Sequence, residues 1–324
     1  MKLQILVPQW HETDDIIRPL LDSIRLQQGI SFDDIGVIIT NDGSDVFLTD
    51  DFLKSYPFEI QYIKAEHRGV SATRNACLDA ATADFVMFCD ADDLFYNVCG
   101  LYIVFREISK DGFDVLVSEF LEETRDAEKQ PVFVKHERDT TFVHGKIFRR
   151  QFLVDNDIRF KDELTIHEDS YFNSLAQTLA DTAKYCQVPF YLWKWRDDSI
   201  CRHDPKYILK TYNNMLDSST ALAKEYIRRG EILQAQSVAT GMIYNAYYCM
   251  NKDDWKNQEN VEYRKATERR FKEYYLTFKE YFEQIPDRLK KQIIMTTKNQ
   301  MFHEGLFMET ITFDDWIAHV LEAY

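Results

Sequence analysis

The chain has 324 residues, 45% of them aliphatic or aromatic, which is enough for more than one buried core. A net charge of −15 sets the overall field against phosphate-rich partners unless a local basic patch overrides it. No apolar run approaches the roughly 20 residues that span a bilayer, and six scattered cysteines without a C-x-x-C pair argue against a disulfide framework or a zinc site.

Leu3–Val7 reads as a buried strand that stops at Pro8 and the polar stretch Gln9–Glu12. It is too short for the apolar core of a signal peptide, so a cytoplasmic protein is expected, with peripheral membrane attachment left open. Thr13 is placed to cap a helix whose apolar residues Ile16, Ile17, Leu20, Leu21 and Ile24 recur at helical spacing. Val37–Thr40 is a short β-branched run that ends in Asn41-Asp42-Gly43-Ser44. Phe58–Ile63 alternates like a strand with one wet face. A helix is predicted over Ser71–Ala81 and a buried strand over Phe85–Cys89, which runs into Asp90-Ala91-Asp92-Asp93. This alternation predicts an α/β fold with a mainly parallel sheet. From about residue 206 glycine becomes scarce and helices are predicted at 207–229, 232–250, 260–282 and 288–298. Two domains are expected, 1–204 and an α-helical 205–324.

Three strands thus end in polar, turn-forming residues, and open α/β sheets bind ligands beyond the carboxyl ends of their strands. Turns favour Asn, Asp, Gly and Ser for their own sake, so the first two endings read equally well as plain turns. The third is more telling. Asp90, Asp92 and Asp93 crowd the end of a buried strand, where like charges repel. Mg²⁺ or Mn²⁺ relieves that repulsion, and a diphosphate supplies the remaining oxygen ligands. The plainer alternative is an acidic loop that caps the next element.

The wider context favours the site. His67-Arg-Gly-Val-Ser-Ala-Thr-Arg-Asn-Ala76, followed by Ala80 to Asp93, resembles the family-2-type glycosyltransferases of GT-A fold. Gly69, Ser71, Arg74, Asn75, Asp90, Asp92 and Asp93 match that family's pattern in order, as do Pro8 and Asn41–Ser44. Downstream, His144-Gly-Lys-Ile-Phe-Arg-Arg150, Glu168-Asp169 and the segment Tyr191–Arg202 resemble its later motifs. The match covers about residues 1–204. The chain departs from the family with Trp10-His11, where Tyr-Asn is frequent, and with Ala83, where Gly is frequent.

The resemblance implies a GT-A catalytic domain that moves a sugar, of the hexosyl type, from a nucleotide donor to an acceptor hydroxyl with inversion. The donor it implies is UDP-linked, and the acceptor is a glycan, a polymer or another macromolecule. Pro8, Asp42, Arg74, Asp90 and Asp92 are the implied donor-binding residues. Asp92 is the implied ligand of Mn²⁺ or Mg²⁺, with His203 as a second ligand or merely a hinge histidine. Asp169 is the implied general base, because a sugar hydroxyl needs a proton acceptor as its bond forms. Its plainer reading, with Glu168, is a pair of charges favoured at a helix start. Asp93, His144, Lys146, Glu168 and Trp193 are candidates to face donor or acceptor. Trp193 and Trp195 share one face of a strand, which suits a sugar or a core. Two other classes stay open, a non-catalytic sugar-nucleotide binding protein and a nucleotidyltransferase. The second should carry a Gly-rich basic loop after its first strand, which Pro8–Glu12 does not.

The helical domain is expected to serve the acceptor or self-association into a homo-oligomer. Its aromatic rows Tyr244, Tyr247, Tyr248 and Tyr274, Tyr275, Phe278, Tyr281, Phe282 suit an interface or internal packing. Residues 261–300 hold ten Lys or Arg against six Asp or Glu, a local basic excess. Such a stretch suits an anionic acceptor, nucleic acid included, or an ordinary mixed-charge helix surface.

Overall fold

The computed structural model describes residues 1–110, 112–197, 207–257, 260–303 and 311–323, without the side chains of 207–210, 253–254 and 301–303. The chain divides into two compact units, Met1–His203 and Asp204–Tyr324.

The first unit is built on a sheet with strands β1 (Leu3–Gln9), β2 (Ile35–Asn41), β3 (Glu59–Lys64), β4 (Phe85–Phe88), β5 (Leu94–Phe95), β6 (Val115–Arg125), β7 (Pro131–His136), β8 (Lys146–Arg149) and β9 (Ala183–Trp193). Its helices are α1 (Asp14–Arg25), α2 (Asp50–Leu53), α3 (Val70–Ala80), α4 (Gly100–Lys110), α5 (Arg150–Asp155) and α6 (Glu168–Leu179). The strand order is β3-β2-β1-β4-β8-β6-β9-β5, with β7 paired to β6.

The four strands β3-β2-β1-β4 are parallel, while β8 runs antiparallel to both β4 and β6. Every residue of β2 and all but one of β1 are buried. Strands covered on both faces read as apolar runs, which is why Leu3–Val7 and Val37–Thr40 were visible in the sequence, although β2 begins two residues earlier, at Ile35. α1 turns Ile17, Leu20, Leu21 and Ile24 inward on one stripe and leaves Ile16 at the surface. α3 packs on β1 and β2 through Cys77 and Leu78.

After β3 the chain crosses to the other side of β1 to form β4. The order therefore reverses at β1, the kind of switch point where such sheets bind ligands. Register places Gln9 beside Asn41 and Leu6 beside Phe88. The three polar strand endings thus lie side by side at the carboxyl ends of adjacent strands.

The second unit comprises α7 (Tyr207–Arg229), α8 (Ile232–Met250), α9 (Asp253–Lys256), α10 (Val261–Gln284), α11 (Asp287–His303) and α12 (Phe313–Ala323). The aromatic rows are its own core. Tyr247, Tyr248, Tyr274, Tyr275, Phe278 and Phe282 are buried, and Tyr244 and Tyr281 pack against them. Of the two readings of these rows, internal packing is the one that holds, because the helices spend them on each other. Among the described residues no helix is long and apolar enough to cross a membrane. Cys77, Cys89, Cys186 and Cys249 are buried free thiols and Cys99 is partly buried.

Candidate active site

A cavity of about 430 Å³ opens where β1, β2 and β4 end. Its walls include Pro8, Trp10, Glu12, Asp42, Thr73, Arg74, Asp90 and Asp92. β2 and β4 flank β1, so strand spacing separates their ends by about 10 Å. Asp42 stands at one of those ends and Asp90 with Asp92 at the other.

Asp42 is buried and held from three sides. Its carboxylate accepts hydrogen bonds from the Arg68 and Gly69 amides, at 2.9 and 3.0 Å, and meets His67 Nδ1 at 2.9 Å. Trp10 lies over the His67 ring, with centroids 4.1 Å apart, and is itself exposed. Gly43 makes this arrangement possible. Its φ is +73°, and a Cβ there would sit 2.4 Å from the backbone nitrogen of His67. Gly43→Ala should therefore cost about 1–3 kcal/mol in a denaturant melt, because backbone rather than a flexible side chain must yield. A wild-type midpoint would show that the turn relaxes freely.

Arg74 organises the other end. Its side chain is 6% exposed, and it donates to Glu168 Oε1 at 2.7 Å and to Asp90 Oδ1 at 3.0 Å. Burial works against its charge, but Asp90, Glu168 and Asp169 outweigh that and raise its pKa. Asp90 is the reciprocal case. Burial pushes its pKa up, Arg74 and then His144 pull it down, and the net is below the usual carboxylate value. Asp92 keeps a raised pKa from burial and from Asp90, against the pull of Arg196.

Glu168 and Asp169 open α6. His167 precedes them in the left-handed conformation, with φ +65°, a strained setting for a histidine. The helix start is pinned from α3. Ser71 donates to the Leu164 carbonyl at 2.8 Å, and Asn75 exchanges bonds with Phe160 O and N at 2.9 and 3.0 Å. Asp169 lies outside the cavity wall and is partly buried, with one carboxylate oxygen 2.8 Å from the Ser170 amide. Burial first and Glu168 second push its pKa up to about 7, with Arg74 opposing. A carboxylate poised near neutrality is suited to accept a proton.

Several sequence candidates are placed elsewhere. Asp93 is 1% exposed and points inward, where it accepts from Tyr191 Oη at 2.5 Å and the Lys194 amide at 2.9 Å. The Tyr191 hydroxyl also accepts from the Asp90 amide at 3.2 Å, so one side chain ties both ends of the Asp90–Asp93 turn. Burial, then Asp92 and Asp90, raise the Asp93 pKa well above the usual range. His144 is sealed among Phe120, Phe142, Tyr191 and Trp193, and burial lowers its pKa to about 4.

Lys146 is neither a surface cation nor a wall of the cavity. It is fully buried, with Asp139 Oδ1 at 3.1 Å and the Phe142 carbonyl as partners. Trp193 ends β9 and packs on Phe142, and Trp195 lies beyond the strand, donating to Asp197 at 2.9 Å. His203 and Asp198-Ser199-Ile200 lie outside the described residues. Three residues of interest were not singled out from the sequence: His67, Tyr191 and Arg196. All three stand inside segments quoted above, but their partners come from other strands.

The donor chemistry fits a hard divalent cation. Asp90 and Asp92 present carboxylates to the cavity, and Asp92 keeps the raised pKa of a carboxylate short of compensation. A second grouping, Asp90, Asp93 and His144, brings ligand atoms within 4.8 Å of one another and leaves His144 Nδ1 buried without a hydrogen bond. Asp93 is already engaged by Tyr191 and Lys194 there, so the cavity-facing pair fits the ion better.

Residues 4–162 match the sequence profile of Glycosyl transferase family 2. EpsH of Bacillus subtilis (strain 168), by name a glycosyltransferase, is 23% identical over 268 residues, covering 76% of this chain and 75% of that protein. The poly(ribitol-phosphate) beta-N-acetylglucosaminyltransferase TarS of Staphylococcus aureus is 25% identical over 204 residues, 57% of this chain but only 35% of TarS. The crystal structure of TarS residues 1–349 superposes with a TM-score of 0.67 at 16% identity, covering 95% of this chain and 93% of that one. At that identity the likeness speaks to the fold, which is GT-A. With the strand-end cavity, the ordered motifs and the profile match all falling in one domain, the first unit is a glycosyltransferase domain that matches family 2 over residues 4–162.

Proposed function

We propose that the chain transfers a hexosyl group from a UDP-sugar to an acceptor hydroxyl with inversion at the anomeric carbon. The observation that carries this reading is the cavity wall itself. A buried, pre-oriented carboxylate, Asp42, stands at one strand end and the Asp90–Asp92 pair about 10 Å away at another. That separation suits a nucleoside diphosphate laid across β1, with its base toward Asp42 and its phosphates toward Asp92. TarS has been crystallised with UDP-GlcNAc, which makes that donor the first to try.

Asp42 and Trp10 would receive the base, beside Pro8, and Asp92 would hold Mn²⁺ or Mg²⁺, with His203 as a further ligand by family resemblance. A divalent cation bound there neutralises charge on the departing diphosphate. Asp169 would take the proton from the acceptor hydroxyl, and Arg74 holds Glu168 and Asp90 in place beside it. Glu168, bound to Arg74, is thereby a positioning residue. The helical unit would serve the acceptor, a glycan or other polymer, or pair two chains; its charged stretch 261–300 supports the first.

UDP and Mn²⁺ should stabilise the protein together more than separately, because each completes the other's contacts. At a hundredfold excess over the dissociation constant, linkage gives about 2.7 kcal/mol. A thermal melt with UDP that is indifferent to EDTA would remove the metal from this reading.

A further inference from the structure

Arg196 lies in the stretch after β9. Its Nη1 is 3.1 Å from Asp92 Oδ2 and 3.6 Å from Glu12 Oε1. Both carboxylates line the cavity, one at the end of β4 and one just past the end of β1. Arg74 is engaged by Asp90 and Glu168, so among the described residues Arg196 is the cation paired with Asp92. A guanidinium therefore lies against the carboxylate that the reading above gives to the metal.

Resting on that reading, we propose that Arg196 holds Asp92 and Glu12 while no divalent cation is bound, and moves onto the diphosphate of the donor once cation and nucleotide are in place. A carboxylate oxygen cannot serve a guanidinium and a hard dication at full strength together, so binding the ion loosens Arg196. Leaving is eased because the Arg196 side chain is 32% exposed and can stay hydrated as it moves. Neither carboxylate is stranded by the move. Asp92 gains the ion, and Glu12 keeps the Trp10 amide at 2.8 Å. The incoming diphosphate brings oxygen pairs that match the planar fork of arginine. Arg196 is then a donor-binding residue whose resting position balances the charge of the empty site.

The two halves of this exchange predict effects of opposite sign. Mn²⁺ binding to the full chain would be followed by the paramagnetic resonance of the free ion, with and without saturating UDP. Arg196→Gln should bind Mn²⁺ alone about threefold more tightly, since a competitor is gone. In the presence of Mn²⁺ the same variant should bind UDP about tenfold or more weakly, since a charged donor is missing. Arg196→Lys keeps the charge without the fork. It should hold Mn²⁺ alone near the wild-type affinity and still bind UDP several-fold more weakly. This second variant carries the test if the first melts early.

Changes of the same direction in both measurements, or no change in either, would make Arg196 a fixed structural pair and overturn the proposal. Wild-type protein that binds UDP and Mn²⁺ normally separates that failure from a failure of the function. If the wild type binds neither, the functional reading falls and this inference with it.

Discussion

Asp169→Asn is expected to keep its affinity for UDP and Mn²⁺ while losing sugar transfer by about 10²–10⁴-fold. The amide preserves shape and the bond from the Ser170 amide but cannot accept a proton from a hydroxyl. The pH profile of the wild type should carry the same signature. A base must be deprotonated to act, and burial with Glu168 beside it places the Asp169 pKa at about 7. Then kcat/KM should rise through neutral pH and flatten above it. Stability should run the opposite way. A carboxyl whose folded pKa lies above its unfolded value stabilises the protein below about pH 4, and that contribution is lost as pH climbs through about 7. Asn stands in for the neutral acid, so the variant should be at least as stable as wild type at pH 8. A variant that loses donor binding and stability together would place Asp169 in the scaffold.

Arg74→Ala should be the most damaging single truncation to the fold of the first unit. The guanidinium is 6% exposed and joins Asp90 to Glu168, so its loss leaves two enclosed carboxylates without their cation. Breaking a buried pair from one side costs about 3–5 kcal/mol. For a domain of this size that is a fall in Tm of roughly 10 °C or more. Arg74→Lys should recover part of this, since one ammonium cannot bridge both partners with the fork geometry of arginine. A melt of Arg74→Ala within about 1 kcal/mol of wild type would show that solvent enters and rescues the carboxylates.

Much of the first unit was legible because its parallel half is simple physics. β1, β2 and β4 are enclosed on both faces, so they appear as apolar runs that give way to polar residues, although β1 continues through Pro8 and ends at Gln9 rather than stopping at Val7. The antiparallel half was not read. β6 is wholly buried over Val115–Phe120 and then half-buried to Arg125, so no single periodicity covers it. β7 is almost entirely exposed, with Val132, Phe133 and Val134 at the surface, and its pairing with β6 leaves no sequence pattern. α12, missing from the sequence reading, is only 11 residues long, although Thr312 caps it by accepting from the Asp315 amide at 3.2 Å.

The candidate site was legible in its residues but not in their directions. Asp90, Asp92 and Asp93 fall within four positions on one turn, yet two face the cavity and one points into the core toward Tyr191. What decides between them is a tyrosine 98 positions away. Lys146 is similar. Its burial depends on Asp139 and the Phe142 carbonyl lying beneath the same strand end. Arg196 is the reverse case, a charge not singled out within the Tyr191–Arg202 segment, which geometry brings to Asp92.

The central claim is transfer from a UDP-sugar, and the most direct measurement is UDP release by the full chain. UDP-GlcNAc and other UDP-hexoses would be supplied with Mn²⁺ and a set of hydroxyl acceptors, water among them. At least one donor should be consumed above the blank, EDTA should stop it, and Asp169→Asn should slow it by about 10²-fold or more. If no UDP-hexose is consumed, or if Asp169→Asn releases UDP as fast as the wild type, the account is contradicted.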